Sequence, residues 1–356
     1  MGSTVGDAGR PVRLRDVAAT AGVSVSTASR ALSGAGPVSP AAAAAVISAS
    51  ERLGYRPNRL ARALRVQATG SMAIALPWIR NPYYTELVES MECCLGRAGY
   101  ELFVAQTHND PTEEGRRIQL LIERQADGLL VIPADRLASA AALERAQRSI
   151  PVVQIERRVS GLQADYVGVD NAQGIRMVVD HLVEEGCSSI GFVSGAPTSS
   201  TGRSRLQAFR AGMRRHPRVA PVEPILDKFT WQSGSRAVQR LHGEGRMPDG
   251  IVCGSDLVAL GVIRELHSLG YQVPGDVGVT GFDDMVFAEL SGPPLTTVHQ
   301  PTGAIAQAAV DRLVARLQGF AGPPLVREFE PTLRVRRSSV RHAGSPSPAI
   351  EGPPVG

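Results

Sequence analysis

The polar side chains with the clearest purpose lie in the run RLRDVAATAGVSVSTASRALSG, residues 13–34. Ser24 can cap a helix running from Val25 to Ser33, because a serine oxygen accepts a backbone N–H of the first turn. On that helix Val25, Ser26, Ser29 and Arg30 fall near one polar face, small at its N-terminus. Such a face fits a DNA major groove, where hydroxyls and a guanidinium donate to base edges and phosphates. Catalysis finds no comparable grouping. The seven histidines (108, 181, 216, 242, 267, 299, 342) lack metal-ligand spacing, and no G-x-S-x-G elbow occurs. SGAPTSSTGRS (194–204) is superficially a phosphate loop without the G-K-[ST] ending. No enzyme activity, metal or cofactor is expected.

The elements that position the polar face have their own signals. Leu14, Val17, Ala18 and Ala21 recur at helical spacing, and Gly22 stops that helix with a residue free to take positive φ. Two short helices across so tight a turn predict a helix-turn-helix, with small Ala18 at the close approach. A third helix starts with Val38 as staple, Ser39 as cap and Pro40 in the first turn, and Gly54 ends it. In RPNRLARALRV (56–66), Asn58 can cap another short helix carrying Arg59, Arg62 and Arg65, with Leu64 among them. Residues 1–68 hold nine arginines against Asp7, Asp16 and Glu51, a net +6 in a chain of net +4. A basic end on a mildly acidic body is the footprint of a nucleic-acid-binding module joined to something else.

The remaining chain has a different rhythm. Apolar runs such as 72–77, 100–107, 128–133, 151–156, 166–170, 190–195, 224–229, 250–255, 277–284 and 296–301 alternate with amphipathic stretches. The stretches are 84–97, 113–125, 173–185, 203–215, 234–242, 256–269 and 303–318. Continuous apolar strands alternating with helices predict parallel sheets covered on both faces, in two doubly wound subdomains. With 43% hydrophobic and 20% charged residues over 356 positions, two or three globular domains are expected. Cys93, Cys94, Cys187 and Cys253 lack zinc spacing and are expected as buried reduced thiols. The first ten residues hold no apolar signal core and no run reaches membrane-spanning length, so a cytoplasmic protein without membrane contact is expected. Residues 1–11 and the Pro/Gly/Ser-rich 341–356 are expected to be disordered.

From end to end, LRDVAATAGVSVSTASRAL, then VSP, then LGYRPNRLARAL, resembles the lac-repressor family of bacterial transcription regulators. Residues 71–337 resemble that family's periplasmic-binding-protein-like core through IRNPYYTELV, VDNAQG, SGAPTSSTGRSRLQAFRAG, CGSDLVALG, GFDD and PPLTTVHQP. The resemblance implies a helix-turn-helix domain at 12–57, a hinge helix at 58–68 that folds on the operator, and an effector-binding, dimerising core. Subdomain 1 is expected at about 71–162 and 295–325, and subdomain 2 at about 163–294 and 326–337. Val25 and Ser26 would face base edges, Arg30 base or phosphate, and Ser24 and Thr27 the backbone. Leu64 would wedge into the central minor groove, with Ser29, Asn58 and Ala61 completing the DNA-facing set. In the cleft the match places Trp78 and Tyr84 on one wall and Arg203, Phe229, Ser255 and Asp283 on the other. Asp256, directly before an apolar helix, is expected to cap it. Many members have Asn where this chain has Ser255, and a small or acidic residue where it has Trp78.

The function implied is a homodimeric, allosteric regulator, a repressor of a near-palindromic operator, controlled by a sugar in the cleft. A purine-nucleobase effector is the alternative, and a transporter's solute-binding protein a more distant one. The tail after Arg337 has Val340, Ile350 and Val355 but no leucine heptad, which implies a dimer and no tetramer.

Overall fold

The computed structural model describes residues 12–33, 36–55 and 69–340. The expectations for residues 1–11, for the hinge with Asn58, Ala61 and Leu64, and for the tail at 341–356 lie outside the described residues. The chain divides into two compact units, residues 1–69 and 70–356.

Among its described residues the first unit has three helices, α1 (Leu14–Thr20), α2 (Val25–Ser33) and α3 (Pro40–Leu53). Asp16 accepts the Arg13 N–H at 2.8 Å in a capping box that starts α1. Gly22 turns the chain at φ 66°, a left-handed conformation that a side chain resists. Ser39 accepts the Ala42 N–H at 3.3 Å, and Gly54 closes α3 in the left-handed region. Val17, Ala18, Ala28, Val46 and Ala49 form the buried centre, so the three helices meet through small side chains.

The second unit holds two α/β subdomains. The first sheet contains β1 (Ser71–Leu76), β2 (Glu101–Gln106), β3 (Gly128–Val131), β4 (Val152–Ile155), β5 (Asp165–Val169) and β12 (Val326–Phe329), ordered β12-β5-β4-β3-β1-β2 and wholly parallel. Helices α4 (Pro82–Arg97), α5 (Pro111–Glu123), α6 (Ala140–Gln147) and α12 (Thr302–Leu317) accompany it. The second sheet orders β13 (Thr332–Arg334), β11 (Thr296–His299), β10 (Gly278–Asp283), β9 (Gly250–Cys253), β6 (Ser189–Gly195) and β7 (Ala220–Pro221), with β8 (Ile225–Asp227) also on β6. Its helices are α7 (Asn171–Glu184), α8 (Ser200–Arg215), α9 (Trp231–Gly243), α10 (Asp256–Ser268) and α11 (Val286–Leu290). Apolar clusters cover both faces of each sheet, which is why the strands read as continuous apolar runs.

All ten expected strands are present, but the subdomain boundaries need correction. β5 pairs with β4 and β12 in the first sheet, while β11 pairs with β10 in the second. The chain therefore crosses near residues 170, 300 and 330, and each strand stays with the sheet whose ladder it completes. β7, β12, β13, α6 and α11 are short and were not expected. Cys94, Cys187 and Cys253 are buried as expected, but Cys93 is exposed on α4.

Candidate functional site

Two places gather the chemistry. In the first unit, Ser24 Oγ accepts the Thr27 N–H at 3.1 Å and lies 2.8 Å from both Ser26 Oγ and Thr27 Oγ1. The cap thus fixes three hydroxyls at the N-terminus of α2, where orphan N–H groups favour anions. Ala28 is fully buried against the other helices, which turns Val25, Ser26 and Arg30 outward and leaves Thr27 and Ser29 half-buried.

In the second unit a small cavity of about 20 Å³ opens between the subdomains. Asn81, Tyr83, Tyr84, Glu156 and Arg157 line it from the first, and Thr201, Arg205, Phe229, Ser255 and Asp283 from the second. These residues sit at the C-terminal ends of parallel strands or at the helix starts that follow, the usual ligand position in such folds. Gly195 leaves room for Phe229, whose ring would lie 2.1 Å from a Cβ at that position.

Arg205 is the centre of the site. Its Nε donates to Asn171 Oδ1 at 2.7 Å and its Nη1 to the Gly254 carbonyl at 2.6 Å. Glu156 and Asp283 approach the guanidinium at 3.6 and 3.8 Å, and the Phe282 ring lies 3.6 Å from its carbon. Nη2 has no hydrogen-bond partner, nor does Arg157 Nε. Arg157 donates through Nη1 to Asn109 at 2.7 Å. Gln300, at a crossing between subdomains, donates to Asp283 Oδ1 at 2.8 Å, and the Tyr83 hydroxyl reaches both Gln300 and Glu156. Burial raises the Asp283 carboxyl well above its ordinary range, with Arg205 opposing that shift. Burial also pushes the Tyr84 hydroxyl up to about 12, so it is a neutral donor at physiological pH.

Backbone strain collects here too. His108, Asn109, Glu156, Asp283 and Asp284 all have φ between 55° and 122° without being glycine. Such conformations persist where surrounding structure enforces them, commonly at functional sites.

Of the cleft residues expected from sequence, Tyr84, Phe229, Ser255 and Asp283 line the cavity, and Arg203 and Trp78 do not. Arg203 is exposed, because α8 buries Thr201, Arg205, Phe209 and Met213 at helical spacing and turns residue 203 away. That apolar periodicity was the signal for Arg205. Trp78 is 41% exposed in the β1–α4 loop, edge-on to His108. Ser255, not Asp256, caps α10 by accepting the Val258 N–H. Asp256 is fully buried and accepts from Met285 N at 2.8 Å and Thr297 Oγ1 at 2.5 Å, which ties α10 to the two neighbouring segments. Asn81, Tyr83, Glu156, Arg157 and Thr201 were not anticipated.

A helix-turn-helix unit followed by a two-subdomain core with a polar cleft defines a DNA-binding regulator with a sensor domain. Residues 13–58 match the bacterial regulatory proteins of the lacI family, and residues 179–339 match the periplasmic binding protein-like domain. The ribose operon repressor of Escherichia coli (strain K12) is 30% identical over 305 residues, covering 85% of this chain and 92% of its own. The HTH-type transcriptional repressor PurR of Haemophilus influenzae (strain PittEE) is also 30% identical over 305 residues, covering 85% of this chain and 90% of its own. Among solved structures, the lac repressor dimer bound to operator and the anti-inducer ONPF has a TM-score of 0.86 and 26% identity, over 93% of this chain and all of that one. The CelR–cellobiose complex has a TM-score of 0.70 and 31% identity, over 92% of this chain and 100% of that one. The chain belongs to the lacI family. Among the described residues, no helix is long and apolar enough to cross a membrane.

Proposed function

We propose that this chain is a homodimeric transcriptional repressor whose effector is a small neutral sugar held by Arg205, Arg157, Glu156 and Asp283. The mixed donor and acceptor chemistry of that quartet carries the reading. Two guanidinium and two carboxyl groups suit a ligand that both donates and accepts, as vicinal hydroxyls do. Arg205 Nη2 and Arg157 Nε are donors with no hydrogen-bond partner among the described residues. Tyr84 and Phe229 offer flat faces to an apolar ring surface. The relatives named after a ribose operon and seen with cellobiose point the same way. The same two rings favour a purine nucleobase as the second reading. On the DNA side, Val25, Ser26 and Arg30 read base edges, Ser24, Thr27 and Ser29 hold the backbone, and two-fold symmetry sets half-site spacing.

Thermal shift against neutral sugars, sugar phosphates and nucleobases tests the effector. Stabilisation by a neutral sugar is expected, and a response confined to phosphates or nucleobases would overturn it. Operator affinity should fall steeply with salt, since several phosphate contacts each release counterions. A flat salt dependence in fluorescence anisotropy would remove the DNA half of the proposal.

A further inference from the structure

Away from the cleft, one thiol stands in solvent with a cation against it. Cys93 is exposed near the end of α4, while Cys94, Cys187 and Cys253 are buried. Arg97 follows one helical turn later, and its Nη1 donates to Cys93 Sγ at 3.3 Å. The guanidinium is held from its other side. Its Nη2 donates to Gln307 Oε1 on α12 at 2.9 Å and to Cys94 Sγ at 3.2 Å. Gln307 is aimed in turn by Asp311, whose Oδ1 accepts from Nε2 at 2.8 Å. Two helices thus hold one positive charge on one exposed sulfur.

The adjacent cysteines play different parts. Burial pushes the Cys94 thiol up, although Arg97 opposes the shift, and its S–H donates to Gln307 Oε1 at 3.3 Å. A thiol kept protonated is a poor nucleophile, because the thiolate is the attacking form. Neighbouring residues on a helix do not face each other, so α4 also keeps the two sulfurs from pairing. A partner sulfur for Cys93 must come from another molecule. Beside the pair, between α4 and α12, lies a cavity of about 310 Å³. Cys94, Arg97, Gln307 and Asp311 give it polar groups, and Val310 and Val314 apolar ones.

We propose that Cys93 is a thiol-modification site for a low-molecular-weight disulfide, and that Arg97 activates it. The Cys93 thiol gives its proton to solvent, and the thiolate attacks one sulfur of the disulfide. A new S–S bond forms to Cys93, the old one breaks, and the second half leaves as a thiolate that solvent protonates. Cys93 is oxidised and the departing half is reduced, so no further oxidant is required. Arg97 stabilises the anionic sulfur before attack, and the cavity beside it receives the half that stays attached.

The reduced full-length protein is incubated with oxidised glutathione or with neutral 2-hydroxyethyl disulfide, and followed by intact mass and peptide mapping. Half of each reagent should attach to Cys93 and to no other cysteine, and Cys93→Ser should abolish the attachment. Arg97→Gln, at the exposed end of α4, should slow both reagents about threefold to tenfold at neutral pH, since the rate follows the thiolate population. Slowing confined to glutathione would show that Arg97 only attracts an anionic reagent, and overturns the activation. Equal rates with and without Arg97 overturn it as well. Attachment at Cys94, or attachment that survives Cys93→Ser, overturns the site itself.

Discussion

In the first unit Ser26 and Arg30 of α2 stand in solvent around a core of small apolar residues, whereas in the cleft Arg205, Glu156 and Asp283 are 2%, 4% and 6% exposed and both carboxyl groups lie within 4 Å of the guanidinium. Exposed hydroxyls cost the fold almost nothing and are free to meet DNA. Buried charges are held only as a set, because each would be expensive without the others. A polar substitution in the first unit should therefore change recognition more than stability, and one in the cleft should change both.

The largest effect expected is at Arg205. Arg205→Met leaves Glu156 and Asp283 facing a cavity without their cation, and breaking a buried pair from one side costs about 3–5 kcal/mol. Calorimetry should show that loss in the core transition, together with loss of the effector response. Arg203→Ala, two residues earlier on the exposed side of α8, should change neither. Loss of the response in Arg203→Ala with Arg205→Met unaffected would sink the cleft assignment.

That pair of arginines also separates what local sequence determines from what the fold determines. The helices of the first unit are set by contacts within a few residues: Ser24 to Thr27, Ser39 to Ala42, Gly22 and Gly54 at positive φ. Local signals therefore placed α2 and the start of α3 correctly. The cleft is assembled from segments as distant as Tyr83 and Gln300, and no local signal brings them together. Motif position pointed to residue 203, while the phase of Leu206, Phe209 and Met213 selects residue 205. The sheets that β5 and β11 join differ from those expected for the same reason, since strand partners are a property of the fold and not of the run.

The next largest effect belongs to the first unit. Gly22→Val forces a β-branched residue into φ 66°, at a cost of about 1–2 kcal/mol. The cost falls on a unit with a small core, so operator affinity by anisotropy should drop while the core's melting temperature holds. A shift of the core transition would break the separation drawn between the two regions.

pH should act on the core. Burial pushes Asp256 up to about 7 and raises Asp283 as well, so these carboxyls hold protons in the folded state that the unfolded chain releases. Their stabilisation is whole below the unfolded carboxylate value of about 4 and shrinks as pH rises through 7. Asp256→Asn removes one of the two groups and should flatten the melting temperature between pH 4 and 7, with each kcal/mol read as roughly 2–4 °C. Its amide oxygen can still accept the Met285 N–H while its NH2 donates to Thr297 Oγ1, so both tethers of α10 are kept at every pH. A slope as steep as that of the unmodified protein would show that Asp256 does not titrate there.

The smallest effect probes whether cleft polarity also sets the balance between open and closed forms. Across the mouth, the Arg136 N–H donates to the Thr198 carbonyl at 2.8 Å and its Nε to the Pro197 carbonyl at 3.2 Å. The Arg158 N–H donates to Ser200 Oγ at 2.9 Å. Arg136 and Arg158 belong to the first subdomain and residues 197–200 to the second, so opening the cleft separates all three pairs. Ser199 caps α8, so Ser200→Ala leaves the helix start intact and removes one bond specific to closure. One such bond contributes about 0.5–1.5 kcal/mol, which weakens effector binding by at most about tenfold and favours the open form. Small-angle scattering of the effector-free variant should show a larger radius of gyration, and more effector should be needed for the same operator response. Ser26→Ala on α2 should instead lower operator affinity by the same factor at every effector concentration. If Ser200→Ala left both scattering and effector Kd unchanged, the contacts at the mouth would be incidental and closure would rest on the charged quartet alone.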